Sequence, residues 1–322
     1  MSPPQPLPDA APPWLAAADC WFLTGPTASG KTGVGVALAE RIGAEIVSLD
    51  SMALYRGMDI GTAKPTADQR RRVPHHLIDI LEPHQECSLA QYLEAAGQCV
   101  AQIRARRREV LFVGGTPLYL KALLRGIFRG PPADWPLRRQ LEREAQAQEP
   151  GYLHRRLAEV DPAAAARLHP NDTRRLIRAL EVFHTTGRRI SELQHQFQTG
   201  RPASQCRVFV LDWPRAELYR RINTRVDQMF AAGFVDEVRR LLARPEPLSR
   251  TAGQALGYRE VIEHLAGCRD LPATVERLKT HTRQFAKRQG TWFRSLSECR
   301  FVPVSEPARP DELAARIVAS TA

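Results

Sequence analysis

The segment GPTASGKT at residues 25–32 constrains the fold of this chain more than any other part of its sequence. It matches the pattern G-x-x-x-x-G-K-[ST] at every fixed position. That pattern belongs to a loop that joins a strand to a helix and surrounds phosphate oxygens with backbone N–H groups. The flanking residues fit this structure, because Trp21, Phe22 and Leu23 precede the loop and an apolar-periodic helix follows it, ending near Gly43. We therefore predict a P-loop that binds a diphosphate or a polyphosphate.

The residues of this loop supply the groups that such an anion requires. The glycines let the backbone form a nest of N–H donors, Lys31 reaches the terminal phosphate, and the hydroxyl of Thr32 is a ligand for Mg²⁺. We predict Mg²⁺ as the cofactor, with Thr32 as its protein ligand. The predicted diphosphate-binding residues are Gly25, Pro26, Thr27, Ala28, Ser29, Gly30, Lys31 and Thr32.

The remaining apolar segments predict the fold class. Short apolar strands at 45–49, 110–113 and 207–211 alternate with helical patterns, and a last short strand is predicted at 301–302. Continuous apolar strands that alternate with helices are typical of a parallel sheet covered on both faces. We therefore predict an α/β fold, a P-loop-type parallel sheet with helices on both faces and an all-helical insertion domain.

Glycine and proline clusters near residues 130 and 202 bound a stretch whose patterns are helical throughout. Within it, Asp172 is the predicted N-cap of a helix at 173–185. The predicted divisions are a disordered leader at 1–19, a discontinuous P-loop core at 20–130 and 206–303, a helical insertion at 131–205 and a C-terminal tail at 304–322.

The overall composition bounds the class of protein. The chain has 322 residues, and 46 Lys and Arg against 35 Asp and Glu give a net charge of +11, which favours an anionic partner. No run of about 18 apolar residues occurs, so we expect no membrane span. The six cysteines form no CxxC pair, which argues against a disulfide scaffold or a zinc site and favours a reducing cytoplasm.

Two strand ends carry the polar residues that point to chemistry. A nucleotide hydrolase normally has a second acidic residue at the end of an apolar strand beside the P-loop. The strand at 110–113 ends instead in two glycines and Thr116, while Asp50 ends the strand that follows the P-loop helix. Ligands gather at the carboxyl ends of parallel strands, so Asp50 and Thr116 should both face the anion. Asp50 then suits a general base, or it caps the turn that follows it.

Several further segments carry recognisable motifs. They are DSM at 50–52, YRGMDIGTAKP at 55–65, VPHHLID at 73–79, GGT at 114–116, RLIRALEV at 175–182, GYRE at 257–260, and KRQ with TW within 287–292. Together with the P-loop, they closely resemble the tRNA dimethylallyltransferases over residues 22–294. The resemblance implies transfer of a dimethylallyl group from its diphosphate to N6 of the adenosine just 3′ of the anticodon. It also implies that the P-loop holds the prenyl diphosphate rather than a nucleotide to be hydrolysed.

On this resemblance Asp50 accepts the proton of the exocyclic amine as the amine attacks the allylic C1 carbon. Thr116 positions the amine or the bridging oxygen. Lys31, Thr32 with Mg²⁺, and Arg225 neutralise the departing pyrophosphate. For Arg225, a solvated or salt-bridged arginine on an amphipathic helix remains the alternative. The adenosine must leave the stack of the anticodon loop to reach the carboxylate.

The resemblance also implies contacts with the tRNA anticodon stem-loop from several parts of the chain. The predicted contact residues are Asp50, Ser51, Met52, Ala53, Thr116, Arg138, Arg174, Arg175, Leu176, Ile177, Arg178, Gly257, Tyr258, Arg259, Lys287, Arg288, Gln289, Thr291, Trp292 and Arg294. For any single arginine here, a solvated helix face is the alternative, and for Trp292 a core position. Ala53 and Arg174 stand where the family commonly has glutamine.

Two other functions remain open from the sequence alone. One is an ATP-dependent small-molecule kinase of the P-loop class, and the other is a non-catalytic RNA-binding module. The sequence also has no C-terminal Cys/His cluster of the kind found in eukaryotic members, so it resembles the bacterial form. His75 and His76 are predicted to be structural, and we expect a monomer.

Overall fold

The computed structural model describes residues 19–128, 130–194 and 200–321. The predicted leader therefore lies outside the described residues, apart from Asp19. One compact unit comprises the described residues of Met1–Leu124 and Gly200–Ala322, and a second comprises those of Arg125–Thr199. The second unit is the predicted insertion, shifted toward the N-terminus by a few residues relative to 131–205.

The first unit begins with alternating strands and helices. Its elements up to the insertion are β1 (Trp21–Thr24), α1 (Lys31–Ile42), β2 (Ala44–Ser48), α2 (Ala67–Arg72), β3 (His75–His76), α3 (Leu89–Ala105), β4 (Glu109–Val113) and α4 (Pro117–Arg125). The second unit is helical, with α5 (Trp135–Ala147), α6 (Tyr152–Val160), α7 (Pro162–Ala165), α8 (Thr173–Thr186) and α9 (Ile190–Leu193). The first unit then continues with β5 (Val208–Asp212), α10 (Arg215–Ala231), α11 (Phe234–Leu242), α12 (Arg250–Gly253), α13 (Tyr258–Leu265), α14 (Leu271–Arg294), β6 (Cys299–Pro303) and α15 (Pro310–Ala319).

A six-stranded sheet forms the centre of the first unit, in the order β3-β2-β4-β1-β5-β6. Every pair of neighbouring strands is parallel, and Leu23 of β1 stands between Val113 of β4 and Phe209 of β5. The predicted parallel sheet is confirmed. Strand β3 escaped prediction because its two residues, His75 and His76, form no apolar run.

The two faces of this sheet bury different sets of side chains. Leu23 and Phe209 pack in one core cluster with Val34 and Leu38 of α1. Phe22 lies outside that cluster and stacks on Phe112, as expected from the alternation of side chains along a strand. Because all strands are parallel, the loops that follow β1, β2 and β4 share one edge of the sheet.

The predicted C-terminal tail is wrong for most of its length. Residues Pro310–Ala319 form helix α15, whose Leu313, Ala314 and Ile317 are buried in the same core cluster as α1. The spacing of these apolar residues matches one face of a helix. The last helix therefore belongs to the hydrophobic core of the first unit.

The second unit has its own small core. Leu141 of α5, Leu157 of α6, and Leu176 and Ile177 of α8 are buried together. Asp172 caps α8 by accepting a hydrogen bond from the backbone N–H of Arg175, so the predicted N-cap is confirmed. Among the described residues of both units, no helix is long and apolar enough to cross a membrane.

Candidate active site at the carboxyl edge of the sheet

The P-loop leads from β1 into α1, and the N–H groups of the first turn of α1 have no hydrogen-bond acceptor among the described residues. Gly30 precedes the helix in a left-handed conformation, φ 86°, and provides no side-chain cap. The first N–H groups of a helix have no intrahelical acceptor, so this end of α1 can bind an anion. Gly25 has φ 147°, and a Cβ atom there would lie 3.1 Å from the carbonyl oxygen of Leu211. Both glycines are therefore required by the backbone.

Lys31 is held inside the loop. Its Nζ donates a hydrogen bond of 2.8 Å to the carbonyl oxygen of Pro26. Burial, and to a smaller extent the charge of Arg225, lower the pKa of its ammonium to about 7, with the charge of Asp50 acting in the opposite direction. An anion bound here would stabilise the charged form of the lysine.

Arg225 of α10 is partly buried and faces the same cavity as Lys31. Burial lowers the pKa of its guanidinium, and only the charge of Asp50 opposes this effect. No hydrogen bond or salt bridge joins Arg225 to another residue in the described ranges. The salt-bridged alternative is thus excluded for the described residues, and the guanidinium is available to an anion.

Asp50 and Thr116 come together as predicted. The backbone N–H of Ser51 donates to Oγ1 of Thr116 at 3.2 Å, and the N–H of Thr116 donates to the carbonyl oxygen of Leu49 at 3.1 Å. Oδ1 of Asp50 accepts from the N–H of Met52 at 2.9 Å, so Asp50 does cap its turn. No hydrogen bond engages Oδ2 within the described part of the chain. One carboxylate oxygen orients the group and the other remains free to accept a proton.

Gly114 makes this close approach possible. A Cβ atom at position 114 would lie 2.2 Å from the carbonyl oxygen of Leu49, at the end of β2. The end of β4 can therefore contact the end of β2 only because no side chain separates them. The pair of glycines that replaces the expected strand-end acid has a packing function.

A cavity of about 460 Å³ connects these groups. Lys31, Thr32, Asp50, Thr116 and Arg225 line it together. Apolar side chains supply much of the remaining wall, among them Met52, Met229, Leu256 and Phe285. The cavity thus places cations, one carboxylate and an apolar surface around one space.

A second carboxylate, Glu237 of α11, fixes one wall of this cavity. It is buried and accepts hydrogen bonds from the backbone N–H groups of Asp59, Ile60 and Gly61 and from the hydroxyl of Tyr258. Tyr258 is buried and lines the cavity, and its predicted contact with tRNA stays a prediction. Glu237 was missed because nothing in its sequence surroundings distinguishes it from a solvated helix residue.

Gln289 was predicted to contact tRNA and is instead buried beside the P-loop. Its Oε1 accepts from the backbone N–H of Thr27 at 3.0 Å, and its Nε2 donates to the carbonyl oxygen of Gly115 at 2.6 Å. The amide of Gln289 is therefore bonded to the backbone at both its oxygen and its nitrogen. The N–H of Thr27 is likewise occupied by Gln289 and not directed at an anion.

The residues of the insertion that were predicted to contact RNA differ in their burial and in their partners. Leu176 and Ile177 are buried in its core, and their predicted contacts with tRNA stay predictions. Arg138 and Arg178 both bond the fully buried carboxylate of Glu181. Burial of Glu181 acts to raise its pKa, but hydrogen bonds from Arg138, Arg178 and the N–H of Asp134 lower it. These arginines hold the insertion together.

Two other arginines of α8 are exposed to solvent. Arg174 forms no ion pair within the described ranges, and Arg175 lies 3.3 Å from Asp172 across one helical turn. Their contact with RNA stays a prediction. Arg259 lies 3.1 Å from Glu260 in the first turn of α13, and Gly257, with φ 92°, immediately precedes that helix. A contact of Gly257 or Arg259 with tRNA also stays a prediction.

Helix α14 exposes the other predicted contacts near its C-terminus. Lys287, Arg288 and Thr291 are exposed, Trp292 is partly buried, and Arg294 lies 3.5 Å from Asp212. The three predicted contacts that follow Asp50 lie after β2. Ser51 and Met52 are partly buried and line the cavity, and Ala53 is buried, with 6% of its surface exposed. The contact of these residues with RNA stays a prediction.

No cluster of three or more His, Cys, Asp or Glu side chains suited to a metal ion occurs among the residues described. His75 contacts the carbonyl oxygen of Val73 at 2.7 Å, and His76 contacts Glu45 at 2.7 Å. Both histidines therefore have structural partners, in line with the prediction.

Comparison with known proteins gives a consistent result. Residues 53–296 match the sequence profile of a family described as IPP transferase. A tRNA dimethylallyltransferase of Rhodopirellula baltica is 50% identical over 88% of this chain and 87% of its own length. One of Geobacter metallireducens is 47% identical over 92% of this chain and 96% of its own. The crystal structure of a Bacillus halodurans tRNA isopentenylpyrophosphate transferase matches 94% of this chain and 97% of that one, with a TM-score of 0.68 and 38% identity.

Proposed function

The chain belongs to the IPP transferase family, and on that premise we propose that it transfers a dimethylallyl group from dimethylallyl diphosphate to tRNA. The observation that carries this proposal is the arrangement of charge in one cavity. Lys31 and Arg225, whose pKa values burial lowers, face Asp50 and Thr116 across it. An anionic leaving group and a nucleophile that must lose a proton need this combination.

The diphosphate of the donor fits the P-loop side of the cavity. The free N–H groups at the start of α1 and the cations of Lys31 and Arg225 would bind its oxygens. The dimethylallyl group would contact apolar wall residues such as Met229 and Phe285. A kinase would use the same loop differently, and its strand-end acid is replaced here by Gly114 and Gly115.

We propose Mg²⁺ as the cofactor, with the hydroxyl of Thr32 as its protein ligand. Mg²⁺ keeps several waters and binds through few protein groups together with substrate phosphates, so it requires no carboxylate cluster. When bound, the ion would neutralise charge on the pyrophosphate.

The acceptor in the proposed reaction is N6 of the adenosine 3′ of the anticodon. The N6–C1 bond forms while the bond from C1 to the bridging oxygen breaks, and the amine proton passes to Oδ2 of Asp50. Pyrophosphate leaves toward Lys31 and Arg225. Thr116, held by the N–H of Ser51, is placed to orient the amine. The adenosine has to be extruded from its stack to enter the cavity.

The anticodon stem-loop is the proposed partner of the exposed cations. Arg174 and Arg175 on the insertion, and Lys287 and Arg288 on α14, are exposed. Phosphate contacts of this kind would supply most of the affinity for tRNA and make it depend on salt. We propose that the protein acts on tRNA as a monomer in the cytoplasm.

Labelled dimethylallyl diphosphate provides the direct test. The protein is incubated with Mg²⁺, the labelled donor and unmodified tRNA, and the label in the RNA is measured. A matched tRNA with guanosine in place of the adenosine 3′ of the anticodon is the control, and it should stay unlabelled. Absence of label in the native tRNA, together with ATP consumption on a small acceptor, would replace this proposal with a kinase.

A further inference from the structure

We propose that Gln289 is a positioning residue that fixes the P-loop relative to Thr116, and that it is not a contact to tRNA. The inference rests on the proposed function of the same cavity. Gln289 stands within the basic C-terminal part of α14, where the sequence suggests an RNA-facing surface. The structure separates it from that surface.

The faces of α14 establish this separation. Ala286, Gln289 and Phe293 are buried at a spacing of three and four residues, which is one face of a helix. Lys287 and Arg288 are exposed on the other side. Gln289 is 4% exposed and its amide is bonded to backbone groups, so the amide is not part of the exposed cationic surface.

The side-chain amide joins two loops that follow neighbouring strands. Oε1 accepts from the N–H of Thr27 in the loop after β1, and Nε2 donates to the carbonyl of Gly115 in the loop after β4. The first loop carries the predicted diphosphate site, and the second carries Thr116. A primary amide donates and accepts at the same end, so both hydrogen bonds can form only with Gln or Asn chemistry at a suitable length.

The fit around Gly115 shows how close this contact is. A Cβ atom at position 115 would lie 2.8 Å from Nε2 of Gln289 and 3.5 Å from Nζ of Lys31. The glycine therefore lets the amide and the ammonium approach the same backbone segment. Gln289 is thus adjacent to the cation that receives the diphosphate, without itself facing the exposed surface.

The two hydrogen bonds of Gln289 should affect the distance between the prenyl diphosphate and the acceptor amine. The P-loop places the diphosphate and hence C1, whereas the loop after β4 places Thr116 and hence the amine. Displacements of about 1 Å between reacting groups can cost on the order of a hundredfold in rate. A residue that hydrogen-bonds both loops should therefore control the rate and the affinity for the donor, and leave the affinity for tRNA unchanged.

Two substitutions distinguish the effect of the shape of the Gln289 side chain from the effect of its hydrogen bonds. Gln289→Met keeps the length and loses both hydrogen bonds. Gln289→Glu keeps the shape but places a carboxylate against the carbonyl of Gly115 and beside Lys31, where it competes with the diphosphate. Gln98→Met removes an exposed glutamine of α3 and serves as the matched control. For each protein we would measure the Kd for pyrophosphate with Mg²⁺ by calorimetry, the KM and kcat of transfer, the Kd for tRNA, and the Tm.

We expect Gln289→Met to raise the pyrophosphate Kd and the donor KM by about tenfold and to lower kcat. Gln289→Glu should raise them at least as much, which a packing role would not predict because its shape is unchanged. The tRNA Kd of both should stay within about twofold of the parent, and Gln98→Met should match the parent throughout. The inference is overturned by a weakened tRNA Kd with an unchanged pyrophosphate Kd, or by unchanged pyrophosphate binding in folded variants.

The same measurements distinguish the two proposals. A parent protein that labels no tRNA refutes the proposed function, while the pyrophosphate Kd still reports on Gln289. A parent that labels tRNA, with variants that bind pyrophosphate normally, refutes the role of Gln289 alone.

Discussion

Lys31 provides a quantitative test of the diphosphate site. Burial together with the charge of Arg225 lowers the pKa of its ammonium from 10.5 to about 7, and the charge of Asp50 partly opposes them. A bound diphosphate places negative charge beside the ammonium and so raises that pKa again. Above pH 7, binding must therefore be coupled to the uptake of a proton by Lys31.

The size of this coupling follows from the pKa. With a value of about 7, Lys31 is about 90% neutral at pH 8 and about 10% neutral at pH 6 in the free protein. Full protonation in the complex then requires an uptake of about 0.9 proton at pH 8 and about 0.1 at pH 6. From this group alone, the Kd for pyrophosphate should rise about tenfold for each pH unit above 7.

Calorimetry in buffers of different ionisation enthalpy measures the proton uptake directly. Pyrophosphate with Mg²⁺ would be titrated into the parent protein and into Lys31→Met at pH 6 and pH 8. Ionisation of pyrophosphate itself contributes to both proteins, so their difference isolates Lys31. Equal proton uptake by the two proteins at pH 8 would refute the assignment of Lys31 to the diphosphate.

The substitution Lys31→Met should weaken the binding of pyrophosphate but stabilise the folded protein. Between pH 7 and 10.5 the unfolded chain binds more protons at position 31 than the folded protein does. The contribution of Lys31 to the free energy of unfolding therefore increases as the pH rises through that window. At pH 7, Lys31→Met should raise the Tm while it weakens pyrophosphate binding, so loss of binding would not reflect unfolding.

Three further predictions address the other charged groups. Asp50→Asn should lower kcat by about 10²–10⁴-fold, measured in single-turnover transfer, with the tRNA Kd unchanged, because it removes the proposed base; an equal loss of tRNA binding would indicate a structural role. Glu181→Ala should cost about 3–5 kcal/mol in urea unfolding, since Arg138 and Arg178 lose their buried partner; a loss within error would contradict this. Arg174→Ala should weaken tRNA binding and reduce its salt slope by about 1, and an unchanged slope would place Arg174 away from the RNA.

The sheet and the P-loop could be predicted from the sequence because their signals are local. Each central strand is an apolar run, and the loop matches a pattern whose spacing is fixed by the geometry of phosphate binding. The meeting of Asp50 and Thr116 also followed, since carboxyl ends of parallel strands share an edge. These inferences need only neighbouring residues and one general rule of topology.

What could not be predicted depends on contacts between distant segments. The burial of Leu313 and Ile317 requires the surface of α1, which the sequence of α15 does not reveal. Glu237 and Gln289 are polar residues on helices, and their partners lie 176 and 174 positions away at Gly61 and Gly115. A polar side chain on a helix is exposed in most proteins, so only the folded chain shows these as buried.

This difference also explains why the residues of the recognised motifs are divided between buried and exposed positions. A motif that resembles those of a family marks residues the site needs, but it does not distinguish contact with the substrate from support of the residues that make contact. Tyr258 and Gln289 belong to such motifs, and each is buried with its polar group bonded to a segment that lines the cavity. A side chain that binds the phosphates of RNA must be exposed. An exposed arginine has no buried partner that fixes its geometry, so its position in sequence does not reveal its contact. Arg174 and Lys287 meet the requirement of exposure, and Arg138 and Arg178 are instead tied to Glu181. The positive charge of the described residues is therefore divided, because some cations are bonded to buried carboxylates and the exposed cations are available to bind tRNA.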